Sequence, residues 1–356
     1  MTITATPTLG TLGERELLHH IQARVPAVAG VVVGIGDDAA AVEVGPFALV
    51  TTDSLVEGVH FTLDATPPRL LGRKALSVNL SDIAATGGVA RYATVSLCLP
   101  PQTELAWLDS LYDGLLERAA EAGVGLVGGN VAGRAEGIVV DVTLLGDAGR
   151  LLLRNGARAG DRVVVTGTLG AAAEGVRLIA DGARLDDDGE LTASGIWTES
   201  STAAVLACLR AQLDPRPPLA LARSLAERGF AHAGMDLSDG LSSDLAEVCR
   251  QSGVAAVIDA GAIPVDAHAT SLEHARGGDA LALALHGGED YQLLLAVGPD
   301  ELAGIVELGR VWGVPVTAIG EFVEGDPGVR IRDALGERPL PPGGHDHFRA
   351  PRAGEA

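Results

Sequence analysis

The sequence contains little of several residue types, and each shortage excludes something. Only three of its 356 residues are cysteine, and Cys98, Cys208 and Cys249 are far apart with no CxxC pair, so we expect free thiols in a reducing compartment. Aromatic residues make up only 3%, so the core must consist of Ala, Val, Leu and Ile. No run approaches the roughly 18 apolar residues that a bilayer requires, and no signal-like stretch opens the chain. We therefore expect a soluble, cytoplasmic protein with no membrane partner.

Positive charge and the common phosphate-binding patterns are scarce or missing as well. The chain has 26 Lys and Arg against 47 Asp and Glu, a formal net charge of −21. Such a field repels nucleic acid, and it also repels a nucleotide unless cations sit between them. The sequence contains no GxxxxGK[ST], no HRDLxxxN or DFG, and no GxGxxG that opens a helix after a strand. Nucleic acid is thus excluded as a partner, and any ATP chemistry requires bound metal and a less common binding mode.

Predicted strands and helices mix throughout the chain, which is typical of the α/β or α+β class. A boundary near 146–160 divides it into an N-terminal domain, 1–148, and a C-terminal domain, 149–356. A capping box at Thr11 predicts a first helix, and the Pro- and Gly-rich tail after Asp333 predicts a loop. The further predicted elements include helices over 70–85, 105–119, 201–212 and 219–228 and strands over 47–50, 138–145, 162–166, 254–259, 291–297 and 316–319.

Acidic residues recur where predicted strands end or helices begin. Backbone amides are free at such places and can meet phosphate oxygens. Carboxylates interleaved with hydroxyls suit Mg²⁺, which takes one or two carboxylates and fills its remaining positions with water and phosphate. Any one of these residues alone is more simply a turn or cap residue, so the prediction of a nucleotide–metal site depends on the whole set. The set is Asp37, Asp38, Asp53, Asp82, Asp236 and Asp239.

Five longer motifs occur in order along the chain. They are GIGDDAA at 34–40, TTDSLVEGVHF at 51–61, KALSVNLSDIAA at 74–85, DLSDGL at 236–241 and GGEDY at 287–291. Together they resemble the thiamine-monophosphate kinase family, a branch of the superfamily of aminoimidazole ribonucleotide synthetase. The resemblance implies a two-domain aminoimidazole ribonucleotide synthetase-like fold, in which the N-terminal domains of two subunits pair into a dimeric β-barrel. It also implies ATP-dependent phosphorylation of thiamine monophosphate to thiamine diphosphate, the last step of thiamine diphosphate biosynthesis.

The resemblance further implies a role for individual residues. The expected ligands of several Mg²⁺ ions are Asp38, Thr51, Thr52, Asp53, Asp82, Asn130, Asp236 and Asp239. The expected contacts of ATP are Tyr112, Gly129, Asn130, Arg154 and Ser238. The expected contacts of thiamine monophosphate are His60, Glu289 and His345. Two positions depart from the family pattern, since Asn130 stands where an Asp is usual and His345 where a Trp or Tyr is common.

No catalytic side chain is expected, because the acceptor is itself a phosphate with a second pKa of about 6. It is already largely anionic at neutral pH, so positioning and charge neutralisation must supply the catalysis, by direct in-line transfer of the γ-phosphate. Two alternatives stay open. One is another ATP-dependent enzyme of the superfamily that acts on a small phosphorylated substrate, and the other is a non-catalytic, dimeric ATP- or metal-binding protein.

Overall fold

The computed structural model describes residues 20–26, 28–33, 41–45 and 47–344. Asp37, Asp38, His345 and the capping box at Thr11 lie outside the described residues. The strands are β1 Val31–Val33, β2 Ala41–Val42, β3 Phe47–Val56, β4 Val89–Leu99, β5 Gly125–Gly133, β6 Val139–Ala148, β7 Arg162–Thr166, β8 Ala183–Leu185, β9 Leu191–Ser194, β10 Ala233–Asp236, β11 Ala255–Asp259, β12 Leu293–Val297, β13 Val316–Val323, β14 Gly328–Asp333 and β15 Gly336–Pro339. The helices are α1 Pro68–Ala85, α2 Leu105–Ala122, α3 Ala171–Ala180, α4 Thr202–Leu213, α5 Leu219–Arg228, α6 Leu241–Ser252, α7 Ala267–Arg276, α8 Ala280–His286 and α9 Leu302–Trp312.

The chain forms two compact units. The first consists of Met1–Leu151 together with two later segments, Gly182–Ile196 and Leu213–Leu219. The second consists of Leu152–Asp181, Trp197–Gln212 and Ala220–Ala356. Within the described residues, no helix combines the length and apolar character needed to cross a membrane.

The first unit is built on a four-stranded sheet of order β3-β6-β4-β5. The pairs β3–β6 and β6–β4 are antiparallel, and β4–β5 is parallel. Apolar residues alternate along β4 and β6, so that Val95, Leu97, Val142 and Leu144 are buried on one face in a core shared with α1 and α2. This period of two is the expected signature of a sheet with one buried face.

Two glycines allow α1 and α2 to approach closely. A Cβ added to Gly72 of α1 would overlap the carbonyl oxygen of Leu111, and one added to Gly114 of α2 would overlap that of Arg69. Both obstacles are backbone atoms of the facing helix, which cannot swing aside as a side chain can. The separation of the two helices is therefore set by these glycines.

The segment around Asp214 returns to the first unit through buried ion pairs. Asp214 accepts from Arg73 Nε at 2.9 Å and also from the guanidinium of Arg118. Both arginines are nearly buried, with 9% and 7% of their side chains exposed, and Arg73 also pairs with Glu121 at 2.9 Å. Because a buried guanidinium without a partner is costly, the returning segment completes this unit.

The second unit is built on a seven-stranded sheet of order β10-β12-β7-β13-β11-β14-β15. Its pairs are antiparallel except for β11–β14. The central strands β7 and β12 are apolar on both faces, and Val163, Val164 and Val165 are all 0% exposed. Such a run indicates a sheet covered on both sides.

Several sequence-based predictions of elements were wrong or incomplete. The strand predicted at 47–50 continues to Val56, so that Thr51, Thr52 and Asp53 lie within β3 rather than after its end. Part of the tail after Asp333 is not loop, because Gly336–Pro339 adds an antiparallel edge strand to β14. Period and composition did not predict α7, α8 and α9, which are short helices between loops and strands.

Substitution of Gly114 tests the helix crossing in the first unit. We expect Gly114→Ala to lower the free energy of unfolding by about 1–3 kcal/mol through overpacking, although alanine alone favours a helix over glycine by about 1 kcal/mol. Chemical denaturation measures the change. Gly149→Ala is the control, because a Cβ there meets nothing within 4 Å; equal effects of the two substitutions would contradict the close crossing.

Two buried carboxyl groups meet between α3 and α7 of the second unit. Glu174 and Glu273 are both 0% exposed. Arg276 pairs with Glu174 at 3.0 Å, and Arg177 pairs with Glu273 at 2.8 Å. Burial raises the pKa of Glu174 to about 7, Arg276 opposes this rise, and the hydrogen bond and charge of Glu273 add to it. Below this pKa the two carboxyl groups can share a proton.

This raised pKa predicts how stability varies with pH. Between the ordinary pKa of 4.5 and about 7, the folded state binds more protons at Glu174 than the unfolded state does. The contribution of Glu174 is therefore present at the acidic end of this window and is lost as pH rises through it. Urea unfolding at several pH values should give a smaller fall in stability for Glu174→Gln than for the wild type. Parallel curves for the two proteins would contradict the assignment.

Candidate active site

The first group of predicted site residues lies where β3 faces α1. Thr51 and Asp53 alternate with the outward Thr52 along β3, and Asp53 pairs with the core residue Val142. The hydroxyl of Thr51 donates to Asp82 Oδ2 near the end of α1. The strand and the helix thus bring Thr51 and Asp82 into contact, with Asp53 close by.

The surroundings of Asp53 disfavour the charged form of its carboxyl group. Burial, and after it the nearby charges of Asp82 and Asp141, raise its pKa from 3.8 to about 6. A carboxyl whose pKa is raised by burial and by like charges is typical of functional sites. A cation bound here would relieve the repulsion.

Asp141 is a neighbour that the sequence analysis missed. It lies on β6 opposite Ser54, and it accepts hydrogen bonds from the hydroxyls of Ser54 and Thr52, the latter at 3.4 Å. Its signal in the sequence was weak, because one acid in an alternating strand is normally a solvent-facing residue. Only the pairing of β3 with β6 shows that Asp141 contacts the two residues that flank Asp53 and that its charge acts on Asp53.

Asn130 and Gly129 lie at the far side of the same sheet. The register places Ser54, Asp141, Ser96 and Asn130 in one row across β3, β6, β4 and β5. With strands about 4.8 Å apart, Asn130 is roughly 10 Å from Asp141 along this row. Thus the register alone does not bring Asn130 next to the group around Asp53. Gly129 is a glycine for a local reason, since an added Cβ would overlap the carbonyl oxygen of Val95.

The second group lies in the loop between β10 and α6. Asp236 ends β10 and is 3% exposed, whereas Asp239 is exposed. A third carboxyl, Asp244, is 1% exposed and was missed by the sequence analysis. Burial, and after it the charges of Asp239 and Asp236, raise the pKa of Asp244 to about 8, while hydrogen bonds from two backbone amides oppose the rise. This loop is the second place where carboxyl groups crowd together.

The Gly287–Tyr291 segment lies against that loop. The N–H of Glu289 donates to Ser238 O at 2.7 Å, and the N–H of Tyr291 donates to Leu237 O at 2.9 Å. Glu289 and Tyr291 have φ of 58° and 48° and, among the described residues, are the only non-glycines with positive φ. Since this conformation costs about 1–2 kcal/mol per residue, strain is concentrated in one motif, as is common at functional sites.

Two side-chain contacts hold this strained segment in place. Gln212 Nε2 donates to Glu289 Oε2 at 2.7 Å. The carboxyl of Asp290 accepts the N–H of Gly170 at 2.9 Å, at the start of α3. Burial raises the pKa of Asp290 to about 7, and hydrogen bonds from the backbone amides of Gly170 and Ala172 oppose the rise. Gln212 thus holds the side chain of Glu289, and Gly170 holds that of the next residue, Asp290.

The other predicted residues are more scattered. His60 lies in the turn after β3, and its Nδ1 accepts the N–H of Val56 at 3.1 Å, so the neutral ring carries its proton on Nε2. Tyr112 is 4% exposed within the apolar core, where burial raises its pKa. Arg154 is exposed, and its carbonyl accepts from Ser252. Across the part of the chain that the structure describes, no group of three or more His, Cys, Asp or Glu is arranged to hold a metal ion by itself.

Two family models match the chain, one for each part. The model described as AIR synthase related protein, N-terminal domain, matches residues 36–148, and the corresponding C-terminal domain model matches 158–332. With the two mixed sheets, these matches define a two-domain protein of the AIR synthase related class.

Similar sequences and solved structures identify the family within this class. The thiamine-monophosphate kinase of Synechococcus elongatus is 35% identical over 91% of this chain and 92% of its own length. The crystal structure of thiamine-monophosphate kinase from Stenotrophomonas maltophilia has a TM-score of 0.77 at 33% identity, covering 88% of this chain and 95% of that one. AaThiL complexed with AMPPCP and TMP has a TM-score of 0.73 at 31% identity, covering 97% and 100%. The chain belongs to the thiamine-monophosphate kinase family, which confirms the resemblance inferred from its motifs.

The strain at Glu289 can be measured by two truncations. Glu289→Ala and Glu289→Gly both remove the side chain, but only glycine adopts positive φ without cost. We expect the glycine variant to be more stable than the alanine variant by about 1 kcal/mol in thermal or urea unfolding.

The same pair of substitutions at Glu247, within α6, is the control. There the order should reverse, because glycine in a helix interior costs about 1 kcal/mol relative to alanine. If alanine is favoured at both positions, residue 289 does not adopt positive φ in solution.

Proposed function

We propose that the protein phosphorylates thiamine monophosphate to thiamine diphosphate with ATP, by direct in-line transfer of the γ-phosphate, as the last step of thiamine diphosphate biosynthesis. The observation that carries the proposal is the pairing of two loops in the second unit. Glu289, the expected substrate contact, donates its N–H to the loop that holds Asp236 and Asp239, the expected metal ligands. Substrate and metal residues are thus joined by backbone hydrogen bonds. The similarity to AaThiL complexed with AMPPCP and TMP supports the same assignment.

The donor set fits Mg²⁺. Asp53 has a raised pKa in the first unit, and an oxygen of Asp82 accepts a hydrogen bond from the hydroxyl of Thr51. Mg²⁺ prefers hard oxygen donors of this kind, and it usually takes one or two carboxylates rather than a complete protein cage. The residues that would hold the ions are Asp38, Thr51, Thr52, Asp53, Asp82, Asn130, Asp236 and Asp239. When bound, Mg²⁺ would neutralise charge on the two phosphate groups.

The remaining residues bind and orient the two substrates. Tyr112, Gly129, Asn130, Arg154 and Ser238 would contact ATP, and His60, Glu289 and His345 would contact thiamine monophosphate. Because the attacking phosphate oxygen is already anionic near neutral pH, no side chain has to remove a proton. The work of the chain is to hold the two polyanions in line.

We further propose the assembly and location. Each subunit has the two domains predicted at 1–148 and 149–356, except that 182–196 and 213–219 return to the first unit, and two subunits pair through their N-terminal sheets as a dimeric β-barrel. In support, α1 and α2 cover one face of the β3-β6-β4-β5 sheet, while outward residues such as Thr52, Ser54 and Val50 remain exposed in the single chain. Location in the cytoplasm is supported by the three free cysteines.

Loss of one carboxylate in either unit should greatly lower turnover. We expect Asp53→Asn and Asp239→Asn each to lower kcat by roughly 10²-fold or more, because each removes a charge that holds metal at the transferred phosphate. The assay incubates the protein with ATP and thiamine monophosphate, with and without Mg²⁺, and measures thiamine diphosphate and ADP. Folding is checked by thermal unfolding, and Asp53→Asn should not be destabilised, since it removes repulsion.

Asp326→Ala is the matched control, because Asp326 is an exposed loop residue of the second unit. Near-normal activity of both Asn variants would remove the metal hypothesis. ADP release with other small phosphorylated substrates but not with thiamine monophosphate would favour another enzyme of the superfamily. ATP binding without any ADP release would favour a non-catalytic protein.

A further inference from the structure

The first turn of α6 carries three polar side chains that the proposed function does not use. They are Ser242, Ser243 and Asp244, and Ser242 and Asp244 are 0% and 1% exposed. Each is hydrogen-bonded to the backbone of a different part of the second unit or to a neighbouring side chain. Asp244 contacts the loop that carries Asp239, and the two serines contact the segment at 343–344.

Asp244 holds that loop directly. Its Oδ2 accepts the N–H of Asp239 at 3.3 Å and the N–H of Gly240 at 3.1 Å. Gly240 is the N-cap of α6 and has no side chain that can cap the helix. Asp244, from within the first turn, instead accepts the amides of the two residues that precede the first helical residue, Leu241.

Two glycines let the backbone of this loop pack closely against the backbone of neighbouring segments. Gly240 has φ of 109°, and an added Cβ would lie 2.9 Å from the backbone carbon of His286. A Cβ on Gly288 would lie 2.5 Å from the carbonyl oxygen of Ser238. The loop thus packs backbone to backbone, and its conformation depends on a few hydrogen bonds rather than on side-chain packing.

The two serines hold a third segment against the same loop. Ser242 Oγ accepts the N–H of Gly343 at 3.2 Å, and Ser243 Oγ accepts that of Gly344 at 3.0 Å. A Cβ on Gly344 would overlap the carbonyl oxygen of Asp239. The peptide that follows Asp239 is therefore enclosed by Asp244 on one side and by the tail on the other.

We propose that Asp244 is a positioning residue, which directs the carboxylate of Asp239 by fixing the backbone amides of Asp239 and Gly240. This inference rests on the proposed function, because it assumes that Asp239 binds metal. Asp244 is nearly without exposed surface, and its Oδ2 already accepts two N–H groups, so it acts through Asp239 and not on a substrate. What matters is the acceptor oxygen rather than the negative charge.

Two variants separate the acceptor from the charge. Asp244→Asn keeps a carbonyl oxygen that can accept both N–H groups, and its Mg²⁺ half-saturation and kcat should stay within about threefold of the wild type. Asp244→Ala removes the acceptor and should raise the Mg²⁺ half-saturation about tenfold, with a smaller change in KM for thiamine monophosphate, because misplaced ligands weaken the metal site. A purely structural defect would lower the active fraction, and so kcat, without moving the Mg²⁺ half-saturation.

Asp266→Ala is the matched control. Asp266 caps α7 in the same unit, accepting the N–H of His268 at 2.8 Å and that of Ala269 at 3.1 Å. Its loss should reduce stability as a lost cap does, yet leave the Mg²⁺ half-saturation unchanged. The proposal is overturned if Asp244→Asn is as defective as Asp244→Ala, since charge would then be decisive, or if Asp244→Ala behaves like the wild type.

Hydrogen exchange provides a readout that does not depend on turnover, and in the wild type it does not depend on the folding of a variant. The amides of Asp239 and Gly240 should exchange slowly, and the amide of Gly240 should stay protected in Asp244→Asn. Exchange of both amides at unprotected rates in the wild type would overturn the positioning role. If the wild type does not phosphorylate thiamine monophosphate but these amides are protected, the proposed function fails while the hydrogen bonds of Asp244 stand.

Discussion

Repulsion between carboxylates that are held close together, with little water around them, is the constraint on which the rest of the structure depends. It acts twice, around Asp53 in the first unit and around Asp244 in the second, where burial first and the neighbouring carboxylates second raise both pKa values. Hydroxyl and amide donors keep these groups in place, but they do not remove the accumulated charge. In a chain with a net charge of −21, such crowding fits the bound cation that the proposed function requires to bring two phosphate groups together.

The sequence was sufficient for the family, the mixed two-domain class and the position of the motifs, because these depend on residue types at fixed spacing. It was not sufficient for Asp141 and Asp244, which become neighbours of the motif aspartates only through strand pairing and the first turn of α6. Each looks ordinary by itself, one as an acid in an alternating strand and the other as an acid near a helix start. The edge strand Gly336–Pro339 was also missed, since glycine and proline indicate loops and only its partner β14 makes it a strand.

Strain at Glu289 and Tyr291 could not be read from the chain either. Positive φ is encoded locally only when the residue is glycine, and here the conformation is imposed by backbone hydrogen bonds to Leu237 and Ser238 and by the capping contact of Asp290. The rigid seven-stranded sheet provides the anchor for these contacts, because β10 and β12 pair directly below both loops. Local preference is thus overruled where the site is built, which is the usual place for such conflicts.

The return of 182–196 and 213–219 to the first unit has a consequence for how this architecture can be rearranged. The chain crosses from one unit to the other five times. Neither unit is therefore one continuous stretch of sequence that recombination could transfer to another gene. A fragment that ended at residue 148 would leave Arg73 and Arg118 without Asp214. We therefore expect such a protein to diversify by substitutions and loop changes that keep both units, rather than by exchange of a whole unit.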